Sequence, residues 1–163
     1  MTDTGRAQAA GIAETMGSAR IDGFYTSPML RAVQTAQIIG EKCGIKPKVD
    51  KRLMERRWGK LDGMAFDSQD DMNYAMVEEI KSGYKKGMEP WKDLQRRLRS
   101  FEESVRGTVI AVTHHDPILA ALGIVDGRYD DYYSTPIAMA SATTIDFEKK
   151  AILNIGGNAI PNI

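Results

Sequence analysis

The sequence predicts a three-layer α/β domain, with a mostly parallel sheet between two layers of helices. Short apolar segments of strand length alternate along the chain with segments whose apolar residues have helical spacing. One segment, residues 108–113 (TVIAVT), is apolar almost throughout, which is typical of a parallel strand buried on both faces. A length of 163 residues suits one domain, so we expect residues 1–163 to fold as a single unit.

The first part of the chain is predicted to contain two helices and two strands. Thr2 or Asp3 is the candidate cap of the first helix. Ser27 followed by Pro28 predicts the start of the second helix, and Gly44 predicts its end. In order, we expect a helix to about residue 19, a strand over 21–26, a helix over 29–43 and a strand over 46–49.

The rest of the chain begins with a stretch of no clear period, residues 51–66, which we interpret as a loop. Two helices, over 67–83 and 90–105, form a cap-like helical region at about 67–106. The apolar strand over 108–113 follows, then a helix over 118–122 and strands at about 138–147 and 151–155.

Composition excludes several classes of protein. The chain has 22 Lys and Arg and 22 Asp and Glu, so its net charge is zero and no basic excess indicates nucleic-acid binding. The single cysteine, Cys43, excludes an internal disulfide, and two adjacent histidines exclude a three-histidine metal site. No apolar stretch has the length of a membrane span and no signal peptide is evident, so we expect a cytoplasmic protein.

Ser27 to Arg31 is the first candidate site, because a predicted strand runs there into a predicted helix. Ligands of parallel sheets bind beyond the carboxyl ends of the strands, and helix N-termini favour phosphate. Arg31 would add a permanently charged forked donor. From this segment alone, a capped helix with a solvated arginine is the simpler interpretation.

His114 is the second candidate, because it follows the apolar strand over 108–113. A histidine there can donate to a phosphoryl oxygen or transfer a proton. A loop histidine bound to backbone carbonyls is the alternative. A metal cluster of His114, His115 and Asp116 is disfavoured, because consecutive residues seldom reach one metal.

Glu55 is the third candidate, in a glycine-containing loop beside Arg56 and Arg57. A carboxyl in such a loop can protonate a leaving group. Taken in isolation, a salt-bridged surface loop is the simpler interpretation.

Four blocks of this chain, in order, resemble the histidine phosphatase superfamily, in its phosphoglycerate mutase-like branch. They are residues 1–9 (MTDTGRAQA), 25–39 (YTSPMLRAVQTAQII), 53–63 (LMERRWGKLDG) and 109–123 (VIAVTHHDPILAALG). The resemblance covers nearly the whole chain, and the order and spacing of the blocks are more specific than any one of them. It implies the phosphoglycerate mutase-like three-layer fold.

The resemblance also implies roles for individual residues. Arg31 matches the family's phosphate-binding arginine, Glu55 its proton donor to the leaving oxygen, and His114 its second histidine, which binds the phosphoryl group. The family's pocket is metal-free, so we expect no metal and no cofactor. We expect Ser27, Arg56 and His115 to contact the substrate, His115 standing where the family usually has glycine.

The chain departs from the family pattern at its start. Family members begin with a central strand ending in Arg-His-Gly, whose histidine becomes phosphorylated, and this sequence contains no such motif. The absent piece would be on the order of 25 residues, a strand and its loop. We therefore expect a sheet without its usual first strand, in a chain that is truncated or inactive as it stands. Another strand, or a segment of a partner chain, is expected to fill the slot.

These observations favour a metal-independent phosphomonoesterase that works through a phosphohistidine and acts on a small phosphorylated substrate. Phe66 stands where the mutases carry a lysine, and residues 67–90 contain no recognisable carboxylate clamp, so we favour phosphatase over mutase. A phosphate-ester binding protein without catalysis and a cofactor-dependent phosphoglycerate mutase are the alternatives. A homodimer is also possible.

Overall fold

A computed structural model describes residues 1–16, 20–65, 67–127 and 135–157. These residues form five α-helices and five strands. In chain order they are α1 (Asp3–Thr15), β1 (Gly23–Thr26), α2 (Leu30–Cys43), β2 (Lys48–Val49), α3 (Gln69–Lys81), α4 (Trp91–Ser104), β3 (Val109–Val112), α5 (His115–Asp126), β4 (Ala142–Asp146) and β5 (Ala151–Gly157). Two short 3-10 turns, Lys51–Leu53 and Gly59–Leu61, lie within the predicted loop.

The central sheet is parallel, as predicted, with strand order β2-β1-β3. Tyr25 of β1 is in register with Lys48 of β2 and with Ala111 of β3. Strands β4 and β5 form a separate antiparallel hairpin. Within the described part of the chain, no strand pairs with the edge of β3 that faces away from β1.

Helices cover both faces of the central sheet and give the predicted three layers. On one face Phe24 and Ile110 pack with side chains of α1 and α2. On the other face Tyr25 packs with a cluster from α4 and α5, and its ring meets that of Phe101 edge-on at 5.3 Å. Each fully buried side chain of this kind contributes about 1.5–3 kcal/mol, so the two clusters hold the helices to the sheet.

Strand β3 is less buried than its sequence predicts. Val109, Ile110 and Val112 are partly buried and Ala111 is exposed, whereas burial on both faces was expected. The reason is its position at the edge of the sheet, which leaves one side of the strand open. An apolar run therefore predicts the strand correctly, but its burial depends on neighbours that lie elsewhere in the sequence.

Two helices begin at residues that differ from the predicted ones. Helix α2 is capped by Met29, not Ser27, because the Ser27 N–H still pairs with the Val112 carbonyl at 2.9 Å and continues the path of β1. Helix α5 begins at His115, before the predicted start, because Pro117 is accommodated in its first turn. Thr2 caps α1 as predicted, accepting the Gly5 N–H, while residues 17–19 of that predicted helix lie outside the described chain.

The predicted cap-like region consists of α3, the loop 82–88 and α4. Helix α4 buries Trp91, Leu94, Leu98 and Phe101 against the sheet. In α3, among residues whose burial is described, only Glu79 is buried. No helix in the described segments combines the length and apolar character needed to cross a membrane.

Candidate active site

The carboxyl ends of β1 and β3 bring Ser27 and His114 together. Thr26 is in register with Val112, so the residues that follow the two strands leave the sheet side by side. Ser27 is fully buried, and its hydroxyl lies 2.8 Å from Nε2 of His114. The same hydroxyl accepts the Met29 N–H at 3.3 Å, and it can still donate to the imidazole or accept from it. The pairing fixes the orientation of the His114 ring.

His114 is held in its neutral form. Burial and, to a smaller extent, the positive charges of Arg31 and Arg97 together lower its pKa to about 4. The imidazole is therefore uncharged at neutral pH. A neutral imidazole bonded at one nitrogen can still offer a hydrogen bond from the other, which suits contact with a phosphoryl oxygen.

Glu55 lies partly buried in the irregular segment that follows the first 3-10 turn. Its Oε1 accepts the N–H of Arg56 at 2.9 Å. Burial raises the pKa of the Glu55 carboxyl and the charge of Asp116 adds to the rise, while Arg31 opposes it. The carboxyl thus keeps its proton to higher pH than an ordinary glutamate, as a proton donor requires.

Arg31 completes the group. It is exposed near the start of α2, and its charge acts on both His114 and Glu55. The structure therefore brings Arg31, Glu55 and His114 together from three separated parts of the sequence. A permanent cation, a neutral imidazole and a carboxyl with a raised pKa can bind an anionic group and give it a proton.

Arg56 and His115 flank this group differently. Arg56 is buried: its Nε donates to the Glu89 carbonyl at 2.7 Å, and its Nη1 lies 3.9 Å from Oδ2 of Asp116. His115 is exposed, with Nδ1 3.2 Å from Oδ1 of Asp116. Contact of Ser27, Arg56 and His115 with a substrate stays a prediction.

Sequence reasoning missed three residues that hold the site: Glu89, Arg97 and Thr113. Only Arg97 carried a usable signal. It stands three residues after Leu94 and four before Phe101, on the apolar face of α4, where a charged residue needs a buried partner. That partner is Glu89, whose Oε1 lies 2.9 Å from Nε of Arg97.

The fold and this group of side chains define an α/β protein with a candidate site beyond the carboxyl ends of its parallel strands. The chain belongs to the histidine phosphatase superfamily (branch 1), whose family model matches residues 1–154. The family predicted from the four sequence blocks is thereby confirmed.

Two relatives illustrate the range of the family. A 2,3-bisphosphoglycerate-dependent phosphoglycerate mutase of Thermoplasma acidophilum is 34% identical over 159 residues, covering 96% of this chain and 78% of the relative. A putative phosphoserine phosphatase 2 of Hydrogenobacter thermophilus is 26% identical over 142 residues, covering 78% of this chain and 66% of the relative. The chain is thus similar to members with different activities.

Solved structures share the fold. Bacillus stearothermophilus YhfR superimposes with a TM-score of 0.78 at 22% identity, over 96% of this chain and 84% of that one. A mycobacterial glucosyl-3-phosphoglycerate phosphatase in complex with inorganic phosphate superimposes with a TM-score of 0.72 at 22% identity, over 91% of this chain and 82% of that one.

Phe66, on which the distinction from mutases partly depends, lies outside the described residues.

Proposed function

We propose that this chain carries most of the active site of a metal-independent phosphomonoesterase that works through a phosphohistidine. The observation that carries the proposal is the convergence of Arg31, Glu55 and His114, in which burial raises the pKa of the Glu55 carboxyl and lowers that of the His114 imidazole. In this proposal the phosphoryl acceptor is the histidine of an Arg-His-Gly block, which is not among the 163 residues.

The proposed reaction has two steps. In the first, the acceptor histidine attacks phosphorus, the bond to the leaving oxygen breaks, and Glu55 gives that oxygen its proton. In the second, water attacks the phosphohistidine, the phosphorus–nitrogen bond breaks, and a proton of the water returns to Glu55. Arg31 and His114 hold the phosphoryl oxygens through both steps, where charge develops.

The substrate in this proposal is a small phosphorylated molecule in the cytoplasm. The proposal places one phosphoryl group between Arg31 and His114, and the zero net charge of the chain provides no basic surface excess for nucleic acid. The relatives support phosphate-ester chemistry, since their names include both a mutase and phosphatases.

A phosphoglycerate mutase is the second candidate. It is favoured by the 34% identity to the Thermoplasma acidophilum mutase, which exceeds the 26% identity to the Hydrogenobacter thermophilus phosphatase. A mutase requires a group that holds the substrate carboxylate. Protection of the protein against thermal unfolding by 3-phosphoglycerate, but not by phosphate at equal concentration, would support it.

The test compares the 163-residue chain with a version preceded by a strand ending in Arg-His-Gly from a family member. Both are assayed for p-nitrophenyl phosphate hydrolysis with EDTA present. We expect turnover only in the extended version, and its loss when the added histidine is changed to asparagine.

Two other outcomes would overturn the proposal. Turnover by the 163-residue chain that is lost in His114→Ala would mean that the acceptor lies within this chain. Phosphate binding without turnover in both versions would indicate the third candidate, a binding protein that lacks catalysis.

A further inference from the structure

The segment that carries Glu55 has no regular structure, yet its backbone is held by side chains from other elements. The Leu53 carbonyl accepts from the Thr113 hydroxyl at 2.8 Å. The Glu55 carbonyl accepts from Nη2 of Arg97 at 3.1 Å, and the Arg52 carbonyl accepts from Nη1 of the same guanidinium. Such bonds replace the ladder that a helix or strand would provide.

Glu89 holds the end of the same segment. The Glu89 N–H donates to the Arg57 carbonyl at 2.7 Å, and its carboxylate accepts the Arg57 N–H at 3.2 Å. The carboxylate is almost fully buried, and it binds Arg97 through both oxygens, at 2.9 Å to Nε and 3.1 Å to Nη2. One guanidinium and one carboxylate therefore connect residues 52, 55 and 57 to α4.

We propose that Arg97, bound to Glu89, is a positioning residue that fixes the backbone of residues 52–57 and so aims the Glu55 carboxyl at the site shared with Arg31 and His114. The inference rests on the proposed function for what Glu55 does there. The fixed backbone itself is independent of that function.

The guanidinium is the suitable group for this task. Its rigid fork supplies five donors in one plane, so it binds two carbonyls and a carboxylate at the same time. A lysine ammonium has the charge but not the planar fork, and it cannot reproduce all four contacts. Replacement by lysine therefore separates the effect of charge from the effect of geometry.

The first test measures amide exchange in the 163-residue chain by NMR. Arg97→Met keeps much of the side-chain length and removes the hydrogen-bond donors. Arg96→Met is the control, because Arg96 is exposed and pairs with Asp93 on the same helix. We expect the N–H groups of Arg56 and Arg57 to exchange at least about tenfold faster in Arg97→Met. Exchange within β1 should be unchanged in both variants.

Titration of His114 separates loss of the Arg97 charge from looser packing. Burial is the largest cause of the low His114 pKa, and the charges of Arg31 and Arg97 add to it, so looser packing would raise the pKa in both variants, whereas loss of charge raises it in Arg97→Met and leaves it low in Arg97→Lys. The chain has two histidines, and a His115→Asn background assigns the signals. Arg97→Lys should nevertheless show the fast exchange at residues 56 and 57.

Turnover is measured last, in the version extended by the Arg-His-Gly strand. We expect Arg97→Lys to lower kcat by about tenfold or more with little change in KM, because the misplaced group acts on the leaving oxygen rather than on binding. If the extended version has no turnover at all, the proposed function fails, while the exchange and titration results still decide the positioning role.

The positioning role is overturned if Arg97→Met leaves the Arg56 and Arg57 exchange rates unchanged, or if exchange rises equally throughout the sheet. Should Arg97→Met not fold, Glu89→Gln replaces it. That variant keeps the size of the side chain and removes the charge that holds Arg97, so the same local increase in exchange is expected.

Discussion

His114 is a residue whose uncharged form the folded chain selects. Its pKa falls from an ordinary 6.5 to about 4, so the folded state binds fewer protons than the unfolded state between those values. The resulting stability is fully present above pH 6.5 and is lost as pH falls towards 4. The total is on the order of 3 kcal/mol, which is large for one side chain.

We predict that His114→Gln flattens the acid limb of the stability profile. Glutamine can still bond to Ser27 but has no proton to gain. Urea unfolding across this pH range measures the difference, with His115→Gln as the control at the neighbouring, exposed position. Equal acid sensitivity in His114→Gln and the unmodified chain would contradict the prediction.

The contribution of Glu55 to stability depends on pH in the opposite direction. Its pKa is raised above an ordinary 4.5, so its contribution to stability is present below that value and is lost as pH rises through the folded pKa. We predict that Glu55→Gln unfolds at a higher temperature than the unmodified chain at neutral pH, with no advantage in acid. In the extended version the same substitution should lower turnover at least about a hundredfold.

A second group of variants checks the phosphoryl-binding residues. Arg31→Ala and His114→Ala should each lower turnover of the extended version at least about a hundredfold, because both act where charge develops. Gln37, which is exposed further along α2, provides the control as Gln37→Ala. Near-normal turnover in either site variant would remove that residue from the proposed mechanism.

At this scale the sequence identified Arg31, Glu55 and His114 as candidates but not the residues that hold them. Local patterns marked their positions, the resemblance to the family supplied their roles, and those roles stay predictions. Glu89 and Thr113 were missed because their importance lies in bonds to residues far along the chain, 57 and 53. No local pattern encodes such a partner.

Among the elements, the second 3-10 turn is fixed by backbone contact with the loop that follows α3. The Lys60 N–H donates to the Lys86 carbonyl at 2.9 Å, and a Cβ at Gly59 would collide with Lys86 and Gly87. Gly59 also has a φ of +60°, which side chains rarely adopt. The glycine therefore permits both the turn and the close approach.

We predict that Gly59→Ala destabilises the chain by about 2 kcal/mol more than Gly63→Ala. Gly63 has a similar φ of +75° but open space around its Cα, so it carries the conformational strain alone, about 1–2 kcal/mol. Denaturant unfolding of the two variants measures the difference. Equal destabilisation of the two variants would contradict the prediction, because it would show that the loop at Lys86 and Gly87 moves away from the added methyl group with no loss of stability.

The sequence predicted which segments are helices more accurately than it predicted where those helices begin. The apolar spacing of α4 and the glycine that ends α2 are local signals, and both hold in the structure. The start of α2 was wrong because Ser27 pairs with Val112, a contact across the sheet. Tertiary bonds decided that boundary against the usual capping preference.

In the whole molecule, the outer edge of β3 is open. Ala111 of this strand is exposed, and the edge that faces away from β1 has no partner strand in the described chain. Edges of apolar strands recruit further strands. We therefore propose that the 163-residue chain self-associates through this edge.

Ala111→Lys is predicted to reduce this association, because a charge on an edge strand opposes strand addition. Val49→Lys is the matched control: Val49 is exposed on the two-residue strand at the other edge, which offers little to pair with. Sedimentation velocity over a range of concentrations measures the association. A monomer at all concentrations in the unmodified chain would contradict it.

The three-layer architecture followed from the alternation of apolar segments, which is a property of the whole chain. The exposure of β3 did not follow, because burial is decided by strands beside it and not by its own residues. Sheet order likewise depends on pairings between residues as distant as Gly23 and Val109.

The slight burial of α3 has a consequence for engineering. Glu79 ties the helix to the loop after it, since its carboxylate accepts the N–H groups of Lys86 and Met88, and the Lys86 carbonyl in turn accepts the Lys60 N–H. A cassette spanning residues 69–78 is therefore exchangeable, because inserts grafted there leave Glu79, Lys86 and Met88 in place. Libraries built there would diversify the surface of this helix while leaving the sheet and the side chains of Arg31, Glu55 and His114 intact.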